Sequence, residues 1–190
     1  MKHKAIIIAV FVIMALAQLF VPAQMIMERE NVLSTGSEFK FRTAPVDPYD
    51  PFRGKYITLN YSVDKFYTSD STWRDQAKAY VLIETDADGF ARIDDVVREE
   101  PTDKENYIYC DVHFNAWQNP HYLSVEFPFD RFYMDEYKAK EAEISYRNLA
   151  NDTTVATYAL VSVKAGDAVI KDVFIGDTPI KDYVIEQRVD

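Results

Sequence analysis

The sequence predicts a mainly β protein of the α+β type: an antiparallel sheet, barrel-like or a sandwich, with one packed helix and an N-terminal transmembrane helix. Three observations lead there. From Phe39 onward, short apolar segments alternating at period two recur between turn signals. Aromatic residues make up 14% of the chain against only 5 glycines, which suits pleated strands and argues against disorder. An apolar run from Ala5 to Val21, broken only by Gln18, precedes all of it.

That run carries the address. Met1-Lys2-His3-Lys4 is basic, and the apolar stretch behind it is at the short end of a membrane span. Pro22 interrupts it, but Ala23, Met25, Ile26 and Met27 extend the apolar length. Lys2 and Lys4 stay cytoplasmic by the positive-inside rule, so the remainder faces outward. The alternative is a cleaved signal peptide, with Val21-Pro22-Ala23 offering small or modest residues to a peptidase; both export the domain. The division that follows is an anchor over 1–27, a polar spacer over 28–38 and a β-rich extracytoplasmic domain over 39–190.

With 190 residues and 48% of them apolar, the chain is long enough for one domain with a core. Its net charge of −10 argues against nucleic acid, which demands a basic face, and against a domain lying flat on anionic lipid. Cys110 is the only cysteine, so no intrachain disulfide forms. It shares a strand face with Ile108, Val112 and Phe114, and a buried, inert thiol is expected.

In order, Phe39 to Arg42 forms a first strand, and Tyr56 to Tyr61 a second that continues toward Lys65. Thr68 to Lys78, with Trp73 as its lone large apolar group, is a loop or a short helix. Ala79 to Glu84 and Phe90 to Val97 make a hairpin around Asp86-Ala87-Asp88-Gly89. Tyr107 to Phe114 and Leu123 to Phe127 are strands flanking a loop with Trp117. Asp135 to Leu149 is the packed helix, by its stripe of Ala139, Ala142, Tyr146 and Leu149 and its pairs Glu136/Lys140 and Glu143/Arg147. Thr154 to Lys164 is apolar on both faces, the pattern of an internal strand. Ala165-Gly166-Asp167 turns it back into Ala168 to Ile175. Ile180 to Val189 adds an edge strand or a frayed tail.

The densest stretch is Pro45 to Tyr61, PVDPYDPFRGKYITLNY. Pro45, Pro48 and Pro51 recur every third residue and so line one edge of a polyproline II segment, with Asp47, Asp50 and Arg53 on a second edge. Gly54 permits a positive φ, and the strand that follows sets Ile57, Leu59 and Tyr61 against Tyr56, Thr58 and Asn60. This is either a rigid, ion-paired connector feeding a strand, or a rim of fixed charge for a partner or ligand. On the second view the candidate binding residues are Asp47, Asp50, Arg53, Gly54, Tyr56 and Tyr61.

Gly54-Lys55-Tyr56-Ile57-Thr58-Leu59-Asn60-Tyr61 resembles the motif that names the GDYXXLXY family, and PVDPYDPFRG resembles that family's lead-in. The resemblance implies a bacterial membrane-anchored protein with an apolar N-terminal helix, retained rather than cleaved, followed by a β-rich domain; it implies no activity. Lys55 departs from the motif's Asp, so no role of that carboxylate carries over.

Catalytic signatures are missing: there is no P-loop, Rossmann glycine pattern, HExxH or GxSxG. No cofactor is called for. The leading expectation is therefore non-catalytic: a single-pass protein of the bacterial cytoplasmic membrane, N-terminus inside, whose periplasmic or extracellular domain binds or supports another membrane or envelope protein. One alternative is a hydrolase with Asp47 and Asp50 dividing acid and base roles. The other is a small-ligand or calcium module, for which Glu84, Asp86, Asp88, Gly89 and Asp95 fall at loop positions one, three, five, six and twelve. There, however, positions one and twelve carry the wrong acids and the flanks read as strands. His113 and His121 are expected as surface residues rather than metal ligands.

Overall fold

The computed structural model of the chain describes residues 2–44, 56–133 and 156–186. It is mainly β, with a long N-terminal helix, α1 (Lys2–Thr35). The first strands are β1 (Ser37–Ala44), β2 (Tyr56–Thr58), β3 (Asn60–Tyr61) and β4 (Lys65–Tyr67). After a 3-10 turn at Ser71–Asp75 come β5 (Lys78–Thr85), β6 (Ala91–Val97), β7 (Tyr107–Asn115), β8 (Tyr122–Glu126) and β9 (Arg131–Tyr133). The described chain ends with β10 (Thr157–Lys164), β11 (Asp167–Ile175), β12 (Thr178–Pro179) and a short helix, α2 (Ile180–Glu186).

Two five-stranded antiparallel sheets and a two-stranded ladder hold these together. One sheet runs β12-β11-β10-β1-β3, the other β4-β8-β7-β5-β6, and β2 pairs with β9. Residues 56–67 are the hinge of this arrangement. Within one extended stretch, β2 pairs with β9, β3 with β1, and β4 with β8, so the chain passes from one sheet into the next. The far edge curls back: from the β5–β6 hairpin, Asp88 meets Arg42 of β1 at 3.4 Å, and the Arg42 guanidinium stacks on Phe90 at 3.7 Å. The result is a nearly closed, barrel-like wall.

A second tie crosses the sheets. The β10–β11 turn places Ala165 at φ 46° and Gly166 at φ 92°. Two consecutive positive φ values match the right-handed twist of a tight hairpin. Gly166 then exchanges backbone hydrogen bonds with β7, donating to the Tyr107 carbonyl at 3.0 Å and accepting from Tyr109 N–H at 2.9 Å. The edge of β7 that β8 leaves unpaired is thereby covered.

One core spans both sheets. Phe41, fully buried, meets the rings of Tyr61, Phe127 and Phe129 at 5.6, 5.2 and 5.2 Å, each near edge-on, the geometry aromatic quadrupoles favour. Strand β10 is buried on both faces, as its two-sided apolar pattern requires. Two polar side chains of β10 are buried with partners: Thr157, which accepts from Thr43 Oγ1 at 2.8 Å, and Ser162, which donates to the Val32 carbonyl of α1 at 2.6 Å.

Three segments take a definite form that local pattern left open or bounded differently. Helix α1 does not end near residue 27 but runs through most of the 28–38 stretch, because no glycine or proline stands between Pro22 and Gly36 and Glu28, Arg29 and Glu30 are good helix formers. Residues 180–186 form a helix rather than the edge strand or frayed tail expected: Pro179 ends the ladder for want of an N–H, and Ile180 and Tyr183, three apart, turn one apolar stripe onto the core. The segment Thr68 to Lys78 resolves into the 3-10 turn, where Asp70 caps the Thr72 N–H at 3.0 Å and Trp73 is buried. The helix expected over Asp135 to Leu149 lies outside the described residues.

Candidate functional site

The dense stretch falls into two parts. Asp47, Asp50, Arg53 and Gly54 lie outside the described residues. Tyr56 belongs to β2 and stands opposite Tyr133; Thr58 stands opposite Arg131. From there the alternation is visible: Leu59 and Tyr61 are buried, Thr58 and Asn60 exposed. The Leu59 N–H donates to the Asp130 carbonyl at 2.8 Å, and the Tyr61 hydroxyl donates to the Phe129 carbonyl at 2.7 Å. Of the candidate binding residues, Tyr61 thus has a packing role: its ring completes the aromatic nest and its hydroxyl satisfies a buried carbonyl.

Above that floor the strands splay. The Val125 N–H donates to the Asp64 carbonyl at 2.8 Å, continuing the β4–β8 register by one bond. The gap is a cleft of about 530 Å³. Leu59, Tyr61 and Phe127 form its apolar base, and Asn60, Asp64, Ser124, Glu126 and Asp130 its polar walls. Hydrogen-bond acceptors dominate, so the cleft suits a polar or cationic group. Sequence reasoning placed Leu123 to Phe127 as a strand but not these walls. Their signal is the alternation itself, since Ser124 and Glu126 must point away from buried Leu123 and Val125.

Other candidates resolve into structural roles. In the β5–β6 turn the Asp86 carboxylate accepts the N–H groups of Asp88 and Phe90 at 2.9 and 2.8 Å, Glu84 pairs with Arg92, and Asp88 with Arg42. This is a hairpin flanked by strands, as the sequence pattern of the flanks implied. His113 Nε2 lies 3.4 Å from Glu126, whereas His121 Nδ1 lies 2.8 Å from the Gln118 carbonyl; the two imidazoles have different partners. Among the described residues no group of three His, Cys, Asp or Glu is arranged to hold a metal ion.

Cys110 is buried, and desolvation, with Asp111 beside it, pushes its thiol up to about 12. Burial likewise pushes the Tyr107 hydroxyl, which donates to Glu100 at 2.7 Å, up to about 12. Neither supplies an anion near neutral pH. One surface feature stands apart: Trp117, in the β7–β8 loop, is 99% exposed.

The sheet also grips the end of α1. Arg29 donates to the Ala168 carbonyl at 3.2 Å, Val32 is buried, and Lys164 donates to Thr35 Oγ1 at 2.7 Å. Below this grip the helix is apolar all round, with Ile6, Phe11, Leu19, Phe20, Ile26 and Met27 exposed, as in a span meant for lipid or a signal sequence. Neither any curated protein nor any solved structure matches the chain. The sequence profile of the family described as GDYXXLXY protein matches residues 18–173, from the apolar helix through β11, and by that match over most of its length the chain belongs to the GDYXXLXY protein family.

Proposed function

We propose that the protein is a single-pass component of a bacterial cytoplasmic membrane, with its N-terminus inside and its β-rich domain outside, and that the domain binds or supports another envelope protein. One observation carries the retained anchor. The apolar helix and the helical turns gripped by β10 and β11 are a single α-helix, Lys2–Thr35. A signal peptidase must draw its substrate into extended form, and Val21-Pro22-Ala23 sits inside that helix. Pro22 removes only the bond to the Gln18 carbonyl, a loss that membrane helices tolerate.

The partner half of the proposal is supported by the exposed Trp117 and by the charged run of Asp47, Asp50 and Arg53 that enters the motif. A domain fixed on its anchor presents such surfaces in a constant orientation to neighbours in the same membrane.

Crosslinking in intact cells, followed by capture of the tagged full-length chain from detergent-solubilised membranes, tests this. A specific membrane or envelope protein should be enriched over a control carrying only residues 1–35, and Trp117→Ser or Arg53→Glu should reduce the yield. If both variants capture the same proteins as the wild type, or nothing exceeds the control, the partner assignment fails. Recovery of the domain in the soluble fraction after carbonate extraction would remove the anchor instead.

A further inference from the structure

Where α1 meets the domain, a groove of about 350 Å³ opens between the helix, β9 and β11. Arg29 from the helix and Arg131 from β9 stand in its wall with Tyr133, over an apolar base of Phe129, Phe132 and Ile170. Tyr133 is 64% exposed, and the Arg131 side chain is about half exposed, with Asp130 at 3.7 Å.

The position of the groove along the helix decides what it meets. A hydrocarbon core of about 30 Å takes roughly 20 residues at 1.5 Å each. The apolar surface of α1 ends at Met27, which is 72% exposed, and Glu28 follows. Arg29 is two residues further, roughly 3 Å up the helix axis, which puts it in the headgroup layer. Because Arg29 is bonded to Ala168 of β11, the groove is at the same height.

We infer that this groove holds the phosphodiester of a membrane phospholipid, with Arg29 and Arg131 on the phosphate, Tyr133 at the interface and the first acyl carbons along Phe129, Phe132 and Ile170. The inference rests on the retained anchor proposed above. Planar guanidinium groups suit a phosphodiester, and tyrosine is enriched at the level where one end of a side chain is dry and the other wet. The chain's net charge of −10 opposes a general attraction to anionic lipid. The fit is therefore to a single headgroup in a groove rather than to surface potential, and it includes zwitterionic phospholipid.

Two measurements separate this site from the anchor on which it rests. Full-length protein is reconstituted into phosphatidylethanolamine/phosphatidylglycerol vesicles, and flotation after alkaline wash reads the anchor. Native mass spectrometry of the same protein released into detergent reads retained phospholipid. The wild type should keep one phospholipid per chain, and Arg131→Gln, an exposed change, should lower its occupancy roughly tenfold, the scale of one charge-assisted hydrogen bond. Arg29→Gln/Arg131→Gln should abolish retention, and millimolar inorganic phosphate should not displace the lipid from the wild type. Equal occupancy in wild type and Arg131→Gln, in protein that floats, overturns the site and leaves the anchor standing. Displacement by inorganic phosphate overturns the lipid as occupant. Failure to float removes the anchor, and this site with it.

Discussion

Gly36 sits at a close approach between helix α1 and strand β10, and replacing it by alanine tests the grip directly. It follows the last helical residue, donates its N–H to the Val32 carbonyl at 2.9 Å, and leads straight into β1. It does not have a positive φ among the glycines that do, so its requirement is space. A Cβ there would sit 2.6 Å from Ser162 Oγ, 2.6 Å from the Val32 carbonyl oxygen and 3.0 Å from the Val163 carbonyl oxygen. Two of these are backbone atoms of ordered elements, and the third is a fully buried hydroxyl already bonded to Val32. Overpacking of this kind costs about 1–3 kcal/mol, and breaking the Ser162–Val32 bond leaves a buried donor unsatisfied for about 1–3 kcal/mol more. Against this, alanine reduces the freedom of the unfolded chain by only about 0.4–1 kcal/mol. The expected loss is about 2–4 kcal/mol. For a domain of this size that is roughly 5–15 °C in melting midpoint.

The assay is unfolding of the full chain in detergent, followed by circular dichroism, with hydrogen exchange on residues 29–35 to show whether the helix end lets go first. A second substitution sharpens it. Ser162→Ala alone should destabilise by about 1 kcal/mol, the worth of one hydrogen bond. Combined with Gly36→Ala it removes one of the three clashes, so the pair should be less damaging than the sum by about 1 kcal/mol or more. A Gly36→Ala protein as stable as wild type, or strictly additive behaviour of the pair, would refute the close-approach argument.

Other outcomes follow from the same structure. At the β10–β11 turn, Ala165→Gly should stabilise by about 1 kcal/mol, since alanine there is held at φ 46°, while Gly166→Ala, at φ 92° and 3.4 Å from the Tyr107 ring, should destabilise; denaturant midpoints check both signs. Cys110 should resist thiol reagents at pH 8 until the chain unfolds. Its raised value also means that stability is complete below the unfolded thiol's range and declines as pH rises from about 9 toward 12, where only the unfolded state ionises. The Thr72 hydroxyl, then Arg98, hold Asp70 at about 2, so its contribution is present above the ordinary carboxylate value and is lost as pH falls toward 2; Arg98→Ala should move its carboxyl resonance titration upward, as read by NMR.

What was legible in the sequence was whatever local pattern alone decides. Alternation located β7, a continuous apolar run located β5, and the two-sided apolar run of β10 announced a strand with neighbours on both faces. Illegible were the features that depend on partners far along the chain. Strand β9 is three residues long, and only its pairing with β2 defines it. Ile180 reads equally well as the start of a strand or of a helix until Pro179 is seen to end a ladder with β11. The polar residues after Met27 look like a spacer because nothing local says that Val32 will be buried under Ser162, which is 130 residues away.

The motif shows the same division within a few residues. Leu59 and Tyr61 alternate with Thr58 and Asn60, and that alternation fixes which side chains enter the core. It does not say that Tyr61 will find the Phe129 carbonyl, or that the strand will leave β1 for β8 and open a cleft in passing. Consequently the second half of the motif is explained by packing: an inward leucine, an inward tyrosine with a buried acceptor, and a backbone N–H held by Asp130. On the proposed function, a signature whose last four positions serve packing passes the partner contact to the charged residues before it in sequence, Asp47, Asp50 and Arg53. Tyr61→Phe should therefore lower stability by about 1–2 kcal/mol, the scale of a buried carbonyl losing its donor, while leaving the yield of any crosslinked partner unchanged once folded protein is matched. Arg53→Glu should do the reverse.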